Sequence, residues 1–170
     1  MAVFDITFLK SNFKMIFIAH RGNLYGPNKA SENRPDTIEE AISLGFHCEI
    51  DIWAIEDNYY LGHDFPQYHT DLQFLEKYRD FLWIHCKNID ALVNLKDKYN
   101  CFFHDKDLYT LTSGGFVWGN INTKCNIKTI CVMPELGHHL SFDSLGICTD
   151  FPFHFRDLYY YQKHPKVNQE

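Results

Sequence analysis

The sequence predicts an α/β fold on a largely parallel sheet, and three observations carry that prediction. Short apolar strands alternate with short helices from residue 15 onward. The side chains able to do chemistry gather where those strands end. The length of 170 residues suits one domain with its own core. No Pro/Gly/Ser linker, low-complexity tract or repeat interrupts it, so residues 1–170 read as a single domain.

The elements follow in order. Residues 1–14 read as an N-terminal extension, with Met15 as an alternative start, and 15–20 (MIFIAH) as a short buried strand. Asp36-Thr37-Ile38-Glu39 has capping-box form and Gly45 supplies a stop, which predicts a helix over about 37–44. In the strand 47–54 (HCEIDIWA), alternation puts Cys48, Ile50, Ile52 and Ala54 on one face and Glu49, Asp51 and Trp53 on the other. A turn at 56–58 leads into a hairpin return through Tyr59 to Asp64. Residues 71–79 read as a helix, 81–86 as a strand, and 90–98 as a helix opened by Asn88 or Asp90. Further strands are expected at 100–104, 115–119, 129–133 and 146–150. After residue 100 no helix is expected beyond a single turn at Phe142-Asp143-Ser144. An eightfold barrel usually needs ~250 residues, with ~200 as a lower limit. The expectation is therefore a TIM-type β/α barrel, abbreviated, with several helices reduced to loops in the C-terminal half.

Composition narrows the function classes. A formal charge of −6 with no Lys/Arg run longer than a pair argues against nucleic acid as the main partner. The 15 Phe, 10 Tyr and 3 Trp read as core filling and half-buried rings. Six cysteines show no CxxC spacing, and Cys48, Cys86, Cys131 and Cys148 sit in strand-like runs, which predicts buried free thiols in a reducing compartment. No stretch approaches the ~20 apolar residues of a membrane span. Asp5 interrupts the apolar N-terminus, which reads against a secretory signal, so the expected location is cytoplasmic.

The candidate chemistry lies at four places. His20-Arg21-Gly22 closes the first strand; Glu49 and Asp51 share one face of the next; His63-Asp64 ends the hairpin return; His85 and Lys87 repeat the i, i+2 relation. Two carboxylates suit a hard divalent cation, Mg²⁺ or Ca²⁺. Arg21 and Lys87 beside such a cation can offset charge on phosphoryl oxygens. His20 and His63 can serve as a general acid and base, because imidazole titrates near pH ~6.5. Each element alone is common; their order and spacing make the case.

In that order the chain resembles the glycerophosphodiester phosphodiesterase family. The resemblance rests on His20-Arg21-Gly22, Glu32-Asn33, Glu49-Ile50-Asp51 and Gly62-His63-Asp64, with Thr149-Asp150-Phe151-Pro152 similar to the end of the family's last strand. It is specific over 16–64, weaker at 81–88 and 146–152, and thin between. Sphingomyelinase D toxins and phosphatidylinositol-specific phospholipases C share a related barrel logic, but the HRG and Glu-Asn elements favour the first family. The resemblance implies a phospholipase-C-like phosphodiesterase barrel over 15–152, His20 and His63 as acid/base catalysts, and Glu49 and Asp51 as metal ligands. It implies Arg21 and Lys87 as phosphate contacts. Glu32, Asn33, Asp105 and Trp118 are supporting candidates, Trp118 by similarity to a tryptophan of a late family strand. A neighbouring glycerol hydroxyl would attack phosphorus, and water would open the resulting cyclic phosphate. One departure matters: the family's Glu-x-Lys reads His85-Cys86-Lys87 here. Three readings stay open: His85 joins the metal and favours Mn²⁺ or Zn²⁺, or it stands aside, or the site no longer turns over.

The implied partner is a small phosphodiester. The alternatives are a lipid phosphodiesterase, for which Leu24, Tyr25, Phe65 and Tyr68 would supply an apolar rim, and a phospho-ligand-binding barrel without turnover. His104-Asp105 and Asp107 end a strand, where a carboxylate would complete the metal shell or simply mark a polar loop. His138-His139 beside Glu135 suggests a second metal site but reads rather as two loop histidines pointing apart, the Asn23–Ser31 loop as an ordinary connection or part of the substrate mouth, and Tyr159-Tyr160-Tyr161 as a patch docking the tail rather than a lipid anchor. Oligomeric state stays open.

Overall fold

The computed structural model describes residues 15–137, 140 and 142–163. The 1–14 extension and the His138-His139 pair fall outside the described residues.

Ten strands form one sheet: β1 (Ile16–His20), β2 (His47–Ile55), β3 (Asn58–Leu61), β4 (Tyr68–Thr70), β5 (Leu82–Cys86), β6 (Cys101–Phe102), β7 (Tyr109–Leu111), β8 (Val117–Gly119), β9 (Thr129–Val132) and β10 (Gly146–Thr149). Seven of them run parallel in the order β6-β5-β2-β1-β10-β9-β8. The β3–β4 hairpin returns antiparallel along the end of β2, and β7 pairs antiparallel with β8. Four helices accompany the sheet: α1 (Pro35–Ser43), α2 (Leu72–Lys77), α3 (Ile89–Leu95) and α4 (Pro152–Lys163).

The sheet is curled. In a flat sheet β6 and β8, six strands apart, would be separated by roughly 29 Å at ~4.8 Å per strand. Instead the rings of Phe102 on β6 and Trp118 on β8 stack with centroids 4.6 Å apart. Trp83 on β5 also meets Trp118, at 5.8 Å. Ser113, in the β7–β8 connection, bonds the β6 backbone, donating its amide to Cys101 O (2.8 Å) and accepting Cys101 N–H on its hydroxyl (2.9 Å).

Alternation along the strands sorts side chains into two cores. Phe17, Ala19, Cys48, Ile50, Ile52, Ile84, Cys86 and Ile147 face outward onto Ile38, Ala41, Leu75, Ala91, Leu95 and Phe155 of the helices. Ile18, Trp83, Phe102, Trp118, Ile130 and Cys148 fill the inside of the curl. The α/β class, the parallel sheet and the facing of Glu49 and Asp51 match expectation. All six cysteines are free, and all but Cys125 are buried.

The helices depart from expectation twice. The first begins at Pro35 rather than behind an Asp36 cap; Arg34 occupies the cap without a side-chain bond. Proline fits the first helical position because its missing N–H would have no partner there. Asp36 pairs with Arg34 at 2.7 Å, and Glu39 reaches Tyr78 and Lys77 instead of the cap. The second departure is α4, twelve residues where no helix was expected. It buries Phe155 and packs Tyr159 edge-on against Phe17 and Phe142, while Tyr161 stays exposed. No helix among the described residues is long and apolar enough to cross a membrane.

Candidate functional site

The site lies inside the curl at the C-terminal ends of the parallel strands. Register builds it: His20 on β1 lies opposite Glu49 on β2, and Asp51 lies opposite His85 on β5. Four residues of the site and its surround follow, by two positions, a residue filling the curl: Ile18 then His20, Trp83 then His85, Phe102 then His104, Cys148 then Asp150. An apolar, aromatic layer therefore underlies a polar one.

Asp51 is the most heavily contacted carboxylate. Asn33 donates to its Oδ2 (2.9 Å) and accepts its backbone N–H (2.9 Å). Arg21 Nε lies 3.1 Å from Oδ2, His85 Nδ1 2.9 Å from Oδ1, and Lys87 Nζ 3.5 Å from Oδ1. Burial alone would raise its pKa; the His85 contact, Arg21 and Lys87 outweigh it and hold the carboxyl below the usual range. Glu49 goes the other way, because burial and the Asp51 charge push its carboxyl up despite His20, Arg21 and His85. It accepts the Arg21 amide at 3.2 Å.

Arg21 adopts a left-handed φ of 53°, which turns the chain after β1 so that its amide and guanidinium both point inward. Glu32 binds the other side of the guanidinium (3.0 Å). His20 is anchored through Nδ1 by Asp150 (2.8 Å), and Asn23 donates to the same Asp150 oxygen (2.8 Å). His20 Nε2 is thereby turned toward Glu49, at 4.0 Å. Burial opposes the imidazolium, but the Asp150 bond and Glu49 prevail and raise the His20 pKa; Asp150 is lowered in turn, burial being outweighed by His20 and Asn23. Glu135, past β9, accepts from Thr149 Oγ1 (2.7 Å) and Asp150 N–H (2.9 Å), fixing the end of β10.

Glu49, Asp51 and His85 each offer one ligand atom, and these atoms lie within 4.8 Å of one another. A cation fits this group on a further observation. Asp51 Oδ1 is buried and has no hydrogen bond, although His85 Nδ1 lies 2.9 Å away and Lys87 Nζ 3.5 Å away. Leaving a buried carboxylate oxygen bare is costly unless something else satisfies it.

The other predicted residues fall into place unequally. Gly62 N–H bonds Asp51 O (3.1 Å) and Trp53 Nε1 bonds Gly62 O (2.6 Å), so His63 starts from the rim beside Asp51. A Cβ on Gly62, at φ +145°, would sit 2.2 Å from Phe65 O, so this loop needs glycine. His63 itself is partly exposed and bonds exposed Asp64 (2.7 Å). Asp105 is exposed and stands outside the metal group, whereas Trp118 belongs to the layer beneath it. Of the rim residues, Tyr25 and Phe65 are exposed, Tyr68 is half-buried and Leu24 buried. Asp150, Asn23, Glu135 and His104 were not singled out as site residues. Each lay in a stretch the sequence marked: Asp150 in the Thr-Asp-Phe-Pro ending, Asn23 in the loop after His20-Arg21-Gly22, Glu135 beside His138-His139, and His104 at the end of its strand. His104 stacks on His85 (4.6 Å), and burial, then the His85 and Lys87 charges, lower its pKa to about 4.

Among the described residues, four buried side-chain atoms lack a hydrogen bond: Arg21 Nε, Asp51 Oδ1, His104 Nδ1 and Glu135 Oε2. All four belong to residues at the ends of the parallel strands, around this site. No family model, curated protein or solved structure matches the chain.

Proposed function

We propose that the protein is a metal-dependent phosphodiesterase acting on a glycerophosphodiester or a related small phosphodiester, on an abbreviated TIM-type barrel. The observation carrying this reading is the pairing of opposite unmet needs within one site. Arg21 Nε is a buried donor, ion-paired with Asp51 Oδ2 at 3.1 Å, and Asp51 Oδ1 a buried acceptor beside His85 and Lys87, yet neither atom has a hydrogen bond. An anionic diester would give the first a well-aimed acceptor, and a divalent cation would give the second a ligand bond.

In this reading Arg21 and Lys87 bind the phosphoryl oxygens, and Glu49, Asp51 and His85 hold the cation. A cation there neutralises charge that develops on those oxygens. Asp150 keeps the His20 Nδ1 proton engaged, which leaves Nε2 to accept or deliver a proton at the reacting oxygen. His63, on the Gly62 loop, is the second acid/base and meets the substrate from the rim. Asn33 and Glu32 orient Asp51 and Arg21.

Hydrolysis of bis(p-nitrophenyl) phosphate and glycerophosphocholine tests the reading. Activity is expected to vanish in EDTA and return with a divalent cation. The His20→Ala variant should lose about 10²- to 10⁴-fold, the usual contribution of a general acid/base. No turnover of either substrate with Mg²⁺, Ca²⁺, Mn²⁺ or Zn²⁺ would overturn it in favour of a binding-only barrel. Exposed Tyr25 and Phe65 give a second reading, a lipid phosphodiesterase, some support. Vesicle binding would distinguish it from the first.

A further inference from the structure

The group of Glu49, Asp51 and His85 contains a nitrogen ligand atom. His85 is 8% exposed, and its Nδ1 faces both carboxylates, 2.9 Å from Asp51 Oδ1 and 3.9 Å from Glu49 Oε1. Besides this ion pair, its ring is held in a stack. Phe102 lies parallel to it at 5.1 Å and 4°, and His104 at 4.6 Å and 13°. Phe102 and His104 are two residues apart with near-parallel rings (5.8 Å, 17°), so both offer ring surface to His85. His104 Nδ1 is buried without a hydrogen-bond partner, so what His104 gives His85 is ring surface.

Hard cations such as Mg²⁺ and Ca²⁺ take oxygen ligands, whereas imidazole suits borderline cations of the Zn²⁺ kind. Groups that orient a ligand commonly change metal affinity by about 10- to 100-fold. Resting on the metal requirement of the phosphodiesterase reading, we infer that the site selects a borderline, nitrogen-accepting cation of the Zn²⁺ class through His85 Nδ1. His104 is the positioning residue that keeps the imidazole aimed at the carboxylates. Two carboxylates alone would leave Mg²⁺ or Ca²⁺ competitive; the buried ring between them tilts the choice.

The test is metal binding to the full chain, with no substrate present. Calorimetric titrations with Zn²⁺ and with Mg²⁺ give an affinity ratio for the wild type. The ratio should fall at least about 10-fold in His85→Gln. His104→Ala should weaken Zn²⁺ by on the order of 10-fold, and His104→Phe, which keeps a stacking ring, should restore it. Circular dichroism establishes that each variant folds. A readout on the wild type alone guards against misfolded variants: with Mn²⁺ as a paramagnetic probe, electron spin-echo modulation should show a coupled nitrogen. An unchanged ratio in folded His85→Gln, or no coupled nitrogen in the wild type, overturns the inference. If hydrolysis persists in that case, the phosphodiesterase reading stands without it. A coupled nitrogen with no hydrolysis under any cation overturns that reading and leaves this one.

Discussion

Asp150 and His20 are 130 positions apart in sequence and 2.8 Å apart in the fold. Strand-end spacing singled out His20, Glu49, Asp51, His85 and Lys87, because an i, i+2 pair on a strand shares a face whatever the tertiary arrangement. It could not single out Asp150 as the partner of His20, since that contact depends on β10 lying beside β1. The pair has a defined pH signature. Asp150 is depressed, so its contribution to stability is present above the ordinary carboxyl value of ~3.9 and is lost as pH falls through its lower folded value. His20 is raised, so its contribution is full below ~6.5 and is lost as pH rises through its higher folded value. The coupling is therefore greatest between roughly pH 4 and 6.5. Urea unfolding in EDTA should show Asp150→Asn costing more at about pH 5 than at about pH 8.5. Equal costs at both values would mean that the two groups do not exchange charge stabilisation. The same variant should bind metal as the wild type does, because Asp150 stands outside the Glu49–Asp51–His85 group.

Local chemistry set some elements and tertiary packing set others. Asn88 was one of two candidates to open α3, and its side chain accepts the Ala91 amide there. It also accepts Ala54 N–H (3.1 Å) and donates to Ala54 O (2.6 Å), pinning the helix start to the end of β2. Asn88→Ala removes a cap and strands a backbone pair, so it should cost about 1–3 kcal/mol in denaturant unfolding. Asn88→Asp keeps the cap oxygen and should cost less than the alanine change. If the aspartate variant is the weaker of the two, the Nδ2 donation to Ala54 O, which a carboxylate oxygen would turn into repulsion, outweighs the cap. The start of α1 was misread because Asp36 and Glu39 fit a capping pattern whose carboxylates are used elsewhere, by Arg34, Lys77 and Tyr78. α4 was missed because a run rich in Phe and Tyr carries little helical preference of its own. Pro152 at its first position was the available signal.

At the scale of the whole molecule, the sequence supplied parallel strands but not how they meet. Strand alternation is a local signal, and among the described residues no α-helix lies between residue 100 and α4, only a 3-10 turn at Pro134–Leu136. The approach of β6 to β8 is instead made by aromatic rings on the inner face and by Ser113 on the β6 backbone. Trp118 is central to this, since it touches both Trp83 and Phe102, and Phe102 in turn stacks on His85. Its family-like position therefore has a structural explanation beneath the site rather than at the mouth. Trp118→Ala should cost about 3–5 kcal/mol, the range for truncating a large buried ring, measured by urea unfolding. Because Phe102, which stacks on His85, would lose a neighbouring ring, the same variant should also weaken metal binding. Trp118→Phe should cost less in both measurements. A loss under about 1 kcal/mol for the alanine variant would assign closure to the Ser113 bonds, each ordinarily worth about 0.5–1.5 kcal/mol, and make the rings mere filling. A full loss of stability with metal affinity intact would show that the His85 ring is held by His104 without help from the closure beneath it.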